Sequence, residues 1–217
     1  MAKNEYDVFN SRLAKGAKFR GDMELPELPA VEVVPDSLTE FRRLKTPKIA
    51  NQFIHFYIPD KNFESVYRSP ERYVDWFKRF GGIIGFDFSL HAECPIYKQV
   101  ESIGRNRELS FWYSKQGVKV IPNVRWGLKE TFAWCFEGLP KRSTVAVSTL
   151  GCSKEHSDRR LFEDGFLEML TRIEPKTVVV YGTKSEKLFP PLFTYMSNTT
   201  PVFFESYYTI SHRKEVA

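Results

Sequence analysis

Apolar residues along this chain occur in two kinds of run: short unbroken blocks, and longer stretches with apolar side chains three or four positions apart. Six blocks read as strands because they are rich in β-branched and aromatic residues and bounded by Gly, Pro, Asp or Ser. They are Phe53-Ile-His-Phe-Tyr-Ile58, Ile83-Ile-Gly-Phe-Asp-Phe-Ser-Leu90, Val118-Lys-Val-Ile121, Thr144-Val-Ala-Val-Ser148, Thr177-Val-Val-Val-Tyr181 and Pro201-Val-Phe-Phe-Glu205. Residues 31–34 add a seventh if they pair with the sheet.

Helical periodicity fills the gaps. Ser69-Pro-Glu-Arg72 predicts a helix start, with serine as N-cap and proline in the first turn. Tyr73, Val74, Trp76, Phe77 and Phe80 give its apolar face, and Gly81-Gly82 stops it. Pro95 opens a helical region to Gln116, in which Gly104 and Arg105-Asn-Arg107 predict an interruption. Residues 128–137 read as a helix closed by Gly138-Leu-Pro140. Ser157 or Asp158 caps the clearest helix, carrying Phe162, Phe166, Met169, Leu170 and Ile173 at helical spacing. A short helix is expected over 185–188.

Strand and helix in alternation predict an α/β fold with a mostly parallel sheet of about six strands. Helices on both faces, the doubly wound arrangement, is the first expectation. A partial barrel is the second, since a full one usually takes eight strands. Residues 1–35 read as an extended N-terminal segment, because 1–20 are polar and basic and Glu24-Leu-Pro-Glu-Leu-Pro-Ala30 is broken by prolines. This segment is expected to lie across the domain or dock on a protein partner, and residues 36–217 to form a single α/β domain.

A length of 217 residues, 42% of them hydrophobic, supports a sizeable core. The net charge of +5 suits a phosphate-bearing partner, DNA or a nucleotide, and equally suits simple solubility. Cys94, Cys135 and Cys152 form no CxxC, and His55, His91, His156 and His212 are scattered, so no metal and no cofactor is expected. Unpaired thiols, no secretory pattern and no apolar run long enough for a membrane span predict a cytoplasmic protein without membrane contact.

In parallel α/β folds ligands gather at the carboxyl ends of strands. That rule selects Asp60, Asp87 with Ser89, Asn123 with Arg125 and Trp126, Ser148 with Thr149, Tyr181, and Glu205. Asp87 interrupts the apolar Phe86-Asp-Phe88, where a carboxylate is either held by backbone N–H groups or faces a pocket as a base. Pro122-Asn-Val-Arg-Trp126 offers an amide for reading a donor–acceptor pair, a guanidinium for phosphate and an indole for stacking. Asp87, Asn123 and Glu205 are the catalytic candidates. Phe88, Ser89, Arg125, Trp126, Ser148 and Tyr181 are the substrate-binding ones. Ser148-Thr-Leu-Gly151 and Tyr181-Gly-Thr-Lys184 read as turns that can hold an anion at a helix start. GxSxG and HExxH are absent.

Gly81-Gly-Ile-Ile-Gly-Phe-Asp-Phe-Ser89, Gly117-Val-Lys-Val-Ile-Pro-Asn-Val-Arg-Trp126, Gly138-Leu-Pro140, Val145-Ala-Val-Ser-Thr-Leu-Gly151 and Val178-Val-Val-Tyr-Gly182 together resemble domain-of-unknown-function family 4417. The resemblance covers roughly residues 40–205. It implies a phage, plasmid or other mobile-element setting and brings no activity with it. Gly117-Val-Lys-Val-Ile-Pro-Asn123 and the strand ending Tyr181-Gly182 are also similar to parts of uracil-DNA glycosylases. That partial likeness implies that Asp87 handles the attacking water and Asn123 reads the base, in a hydrolase acting on an N-glycosidic bond or another nucleotide linkage. Asp87-Phe-Ser89 stands where those enzymes have Asp-Pro-Tyr, and their His-Pro-Ser loop is missing. The alternative is a non-catalytic protein that binds a host protein or sequesters a small ligand.

Overall fold

Strands line up in chain order. The computed structural model describes residues 7, 9–43, 47, 49–91, 93–152, 155–182 and 189–216. A small antiparallel hairpin, β1 (Phe19–Arg20) and β2 (Leu25–Pro26), precedes the sheet. Four parallel strands follow: β3 (Ser37–Glu40), β4 (Gln52–His55), β5 (Gly82–Ile84) and β6 (Val120–Ile121). A second parallel set holds β7 (Thr144–Ser148), β8 (Thr177–Tyr181) and β9 (Thr200–Phe204). A parallel bridge between Asn123 and Ala146 joins the sets. There Val124 N–H donates to the Ala146 carbonyl and Ala146 N–H to the Pro122 carbonyl, both at 2.8 Å. The helices are α1 (Glu64–Arg68), α2 (Val74–Phe77), α3 (Ile96–Lys115), α4 (His156–Ile173), α5 (Phe189–Phe193) and α6 (Tyr207–Val216).

Period-two alternation gives the sheet two apolar faces. Ile54, Ile83, Val120, Val145, Val147, Val178 and Val180 lie in the two clusters that also hold buried residues of α1 to α5, such as Tyr113, Phe166 and Leu192. Phe53, Ile84, Ile121, Ala146, Val179 and Tyr181 form a third cluster, joined by Val31 and Val33 and, among the described residues, by no helix residue. This face is rolled on itself. The His55 and Tyr181 rings, on β4 and β8, are 4.1 Å apart between centroids. Four inter-strand steps in a flat sheet would separate them by about 19 Å.

The α/β class and the parallel sheet are as the sequence predicts. Of the two arrangements weighed, the rolled face resembles the partial barrel, and the roll is not closed: no ladder joins β3 to β9 among the described residues. Instead the Arg43 guanidinium sits 3.3 Å over the Tyr207 ring, beside that gap.

The N-terminal segment is used as packing. Leu13, Leu25 and Leu28 are buried in the helix-side clusters. Val31 reaches the start of β7, where its carbonyl accepts from Thr144 N–H at 2.7 Å and its N–H donates to Ser143 Oγ at 2.8 Å. Residues 31–34 therefore bond to the sheet without becoming a strand.

Several element limits differ from expectation. Helix α3 runs unbroken, because Gly104 faces open space and the polar residues after it have tertiary partners. Asn106 Oδ1 accepts from Phe88 N–H at 2.8 Å and its Nδ2 donates to the Phe88 carbonyl at 3.2 Å. Arg107 Nη2 donates to the Cys135 carbonyl at 2.7 Å. The same Asn106 bonds explain why β5 stops at Ile84: its side chain takes the Phe88 backbone groups a longer ladder would use. Residues 128–137 contain only a 3-10 turn at Lys129–Ala133. The Ser69 side chain makes no cap bond, and a 3-10 turn at Pro70–Tyr73 leads into the short α2. The expected helix over 185–188 lies outside the described residues.

Candidate functional site

Asp87 and Asn123 follow β5 and β6, neighbours in the sheet, so parallel register brings them to one mouth of the roll. They touch. Asn123 Nδ2 donates to Asp87 Oδ1 at 2.8 Å and to the Phe86 carbonyl at 3.1 Å, while Asn123 Oδ1 accepts from the Tyr57 hydroxyl at 3.0 Å. Both are deeply buried, Asp87 at 8% exposure and Asn123 at 4%. Arg125 Nε stands 3.0 Å from the same Asp87 oxygen. Its N–H is not aimed along that line, so Nε is a buried donor without a hydrogen bond and the contact is an ion pair alone. Among the described residues no donor reaches Asp87 Oδ2.

The electrostatics follow from this geometry. Burial pushes the Asp87 carboxyl above the usual carboxylate range, against the opposing pull of Arg125 and Asn123. Asp87 in turn holds the Arg125 guanidinium firmly charged. Burial raises the Tyr57 phenol well above its ordinary value. His55 Nδ1 accepts the Tyr57 N–H at 3.3 Å, and burial lowers the His55 pKa to about 3, so the ring is neutral. Tyr57 and Tyr181 stack at 5.1 Å between centroids, and the Tyr181 hydroxyl accepts from Tyr207 N–H at 3.2 Å.

Beside this knot lies a pocket of about 380 Å³, lined by Leu90, His91, Arg125, Trp126, Ser148, Cys152 and Phe162 among others. Ser148, at the end of β7, accepts the Leu150 N–H on its hydroxyl at 3.2 Å. Trp126 is tied down: its indole N–H donates to the Leu161 carbonyl at 3.2 Å and its ring packs on Phe162 at 5.4 Å. Gly165 on α4 makes room for it, because any Cβ there would overlap the indole. Asp158, in the first turn of α4, and Glu93 complete the rim.

The remaining candidates sit elsewhere. Phe88 is 2% exposed and packs between Phe63 and Tyr67 on the helix side, away from Asp87. Ser89 N–H and hydroxyl both donate to the Asp60 carboxylate, at 3.1 and 3.0 Å, beside a neighbouring pocket of about 290 Å³. Glu205 is exposed past β9 and is not among the groups that act on Asp87. Thr183 and Lys184 lie outside the described residues. His55, Tyr57 and Cys152 belong to this mouth and were not singled out from the sequence. The detectable signal was parity: positions 53, 55 and 57 share a face. Among the described residues no three His, Cys, Asp or Glu side chains group to hold a metal, and no helix is long and apolar enough to cross a membrane.

Comparison with known proteins adds the following. A family model described as Domain of unknown function (DUF4417) matches residues 17–197. The gene 1 protein of Mycobacterium phage L5 is 32% identical over 181 residues, which is 82% of this chain and 78% of the phage protein. The gene 1 protein of Mycobacterium phage D29 is 31% identical over 181 residues, 82% of this chain and 66% of its own length. No solved structure matches.

Proposed function

The chain belongs to the Domain of unknown function (DUF4417) family and is similar to two mycobacteriophage gene 1 proteins, and we propose that its pocket binds a phosphate-bearing ligand of the nucleotide class, free or within DNA. The observation that carries this reading is Arg125. A guanidinium held by a buried carboxylate is a fixed cation, and its edge lines a pocket with an aromatic and aliphatic wall. Fixed guanidinium groups suit phosphate because their donors match its oxygens in pairs. Trp126 and Phe162 supply the apolar surface against which a base rests. Asp87 then acts through Arg125, as a positioning residue, and Asn123 through Asp87, since both ends of its amide are engaged.

Titration with nucleosides, nucleoside monophosphates and an oligothymidine checks this. Phosphate-bearing ligands should bind more tightly than nucleosides, and Arg125→Ala should remove that preference. Loss of a charge-assisted hydrogen bond is worth about 1.5–3 kcal/mol, roughly a tenfold to hundredfold weakening. A nucleic-acid ligand should also weaken with salt. Equal affinity of the wild type for nucleosides and their phosphates would overturn the reading.

One observation favours a second, hydrolytic reading: among the described residues no donor reaches Asp87 Oδ2, on a carboxyl whose pKa burial raises. In that case Asp87 orients water for cleavage of an N-glycosidic bond in DNA. Alkali-labile sites should then form in DNA incubated with the wild type and not with Asp87→Asn. Their absence leaves binding as the function.

A further inference from the structure

At the other end of the strands, the N-terminal segment and α3 enclose a groove of about 700 Å³. Its floor is apolar: Leu28 and Pro140 are buried, Phe111 is half-buried, and Pro29 and Ala30 are exposed. Its rim is cationic. Lys18 and Lys141 are exposed, and their side-chain ammonium groups have no ion pair or hydrogen bond among the described residues. Lys115 Nζ spends one donor on the Lys15 carbonyl at 3.0 Å and lies 5.5 Å from the Phe111 ring centroid. The carboxylate in the lining, Glu27, is already paired with Arg20 at 3.1 Å. Three cations thus ring an apolar strip with no free counter-charge in its lining among the described residues.

We propose that this groove docks a protein partner through an acidic peptide segment that carries aliphatic side chains. Charge complementarity requires anions at the rim, and the exposed Pro29 and Ala30 require apolar surface between them. A phosphodiester backbone satisfies the lysines and leaves the floor wet. A second copy of this chain, with its net charge of +5, brings like charge to like charge. An acidic and aliphatic segment matches both features. The groove lies at the opposite ends of the strands from Arg125, so this inference stands apart from the nucleotide reading.

Fluorescence anisotropy on the full chain provides the test, with four labelled probes. These are a peptide of alternating aspartate and leucine, one of aspartate and glycine, one of lysine and leucine, and an oligothymidine. The aspartate–leucine peptide should bind most tightly, about tenfold more so than the aspartate–glycine peptide. Lys18→Glu with Lys141→Glu should weaken it about tenfold at an unchanged melting temperature, since both side chains are exposed. Arg125→Ala should leave it unaffected. The proposal is overturned if the aspartate–glycine peptide or the oligothymidine binds as well, or if the charge-reversed protein binds the aspartate–leucine peptide undiminished.

Discussion

Asp87, Asn123 and Arg125 form a cluster in which each member is costly to lose for a different reason. Asp87→Asn keeps the shape and removes the charge, leaving the buried Arg125 Nε beside a neutral amide. Breaking one side of a buried pair costs up to about 3–5 kcal/mol. The Arg125 side chain keeps 24% exposure, so about 1–3 kcal/mol is the expected loss. Arg125→Met leaves Asp87 instead, and Asp87 has an escape: burial already raises its pKa, so it can take up a proton. Urea unfolding at mildly acidic pH should therefore show Asp87→Asn as the more destabilised variant. The reverse order would mean the carboxylate is not the buried partner of the guanidinium. This cluster was legible in the sequence because Asp87 and Asn123 are polar residues ending apolar runs on adjacent strands. Phe88 misled because period two turns the residue after Asp87 to the opposite side, and Ser89, two residues on, is taken up by the Asp60 carboxylate. His55 and Tyr57 were hidden inside a run that reads as plain strand. Parity gives them a common face, but only the roll of the sheet makes that face an interior.

At the scale of elements, β7 and β8 match their apolar runs residue for residue, since each is buried on both faces and ends at a turn. Helix α3 shows the opposite case. Its Gly104 and Arg105-Asn-Arg107 look like a local break, yet Asn106 and Arg107 are recruited by backbone groups of Phe88 and Cys135, distant in sequence. Local propensity cannot register such partners. Helix α4 yields a prediction in which two effects compete. Gly165→Ala in a helix interior would ordinarily stabilise by about 1 kcal/mol. Here the added methyl overlaps the Trp126 indole, and overpacking a filled site costs about 1–3 kcal/mol. The net effect should be destabilising by up to about 2 kcal/mol, with a shift in tryptophan fluorescence and weaker ligand binding as the pocket wall moves. A stabilised variant with unchanged fluorescence would show that Trp126 is not seated against α4.

Across the whole molecule, one chain segment ties the two ends of the fold together. From Asp7, whose carboxylate accepts the backbone N–H groups of Ser11 and Arg12, it passes over α3 and buries Leu13. It then forms the apolar floor of the lysine-rimmed groove and reaches the start of β7. Where it crosses α3, Glu108 lies partly buried, 3.4 Å from the Tyr67 hydroxyl, with the Asp7 charge nearby. Burial first, and Asp7 as a lesser cause, raise its pKa from 4.5 to about 7, against the opposing effects of Tyr67 and Arg105. The sign follows from proton binding: between pH 4.5 and 7 the folded state holds a proton the unfolded state has released. Glu108 therefore costs nothing below about pH 4.5, and its penalty grows as pH rises to about 7. His55 acts the other way, because its buried ring stays neutral and stability falls as pH drops below its ordinary value of 6.5. The two oppose each other in the wild-type profile, so the difference between Glu108→Gln and wild type is the quantity to measure. Each pKa unit corresponds to about 1.4 kcal/mol, and screening at a partly exposed site reduces the sum to about 1–2 kcal/mol. Melting temperatures should coincide near pH 4.5 and diverge upward, with Glu108→Gln more stable by several degrees at pH 8. A difference that stays flat across that range would mean that Glu108 is solvated and that the N-terminal segment does not cover it.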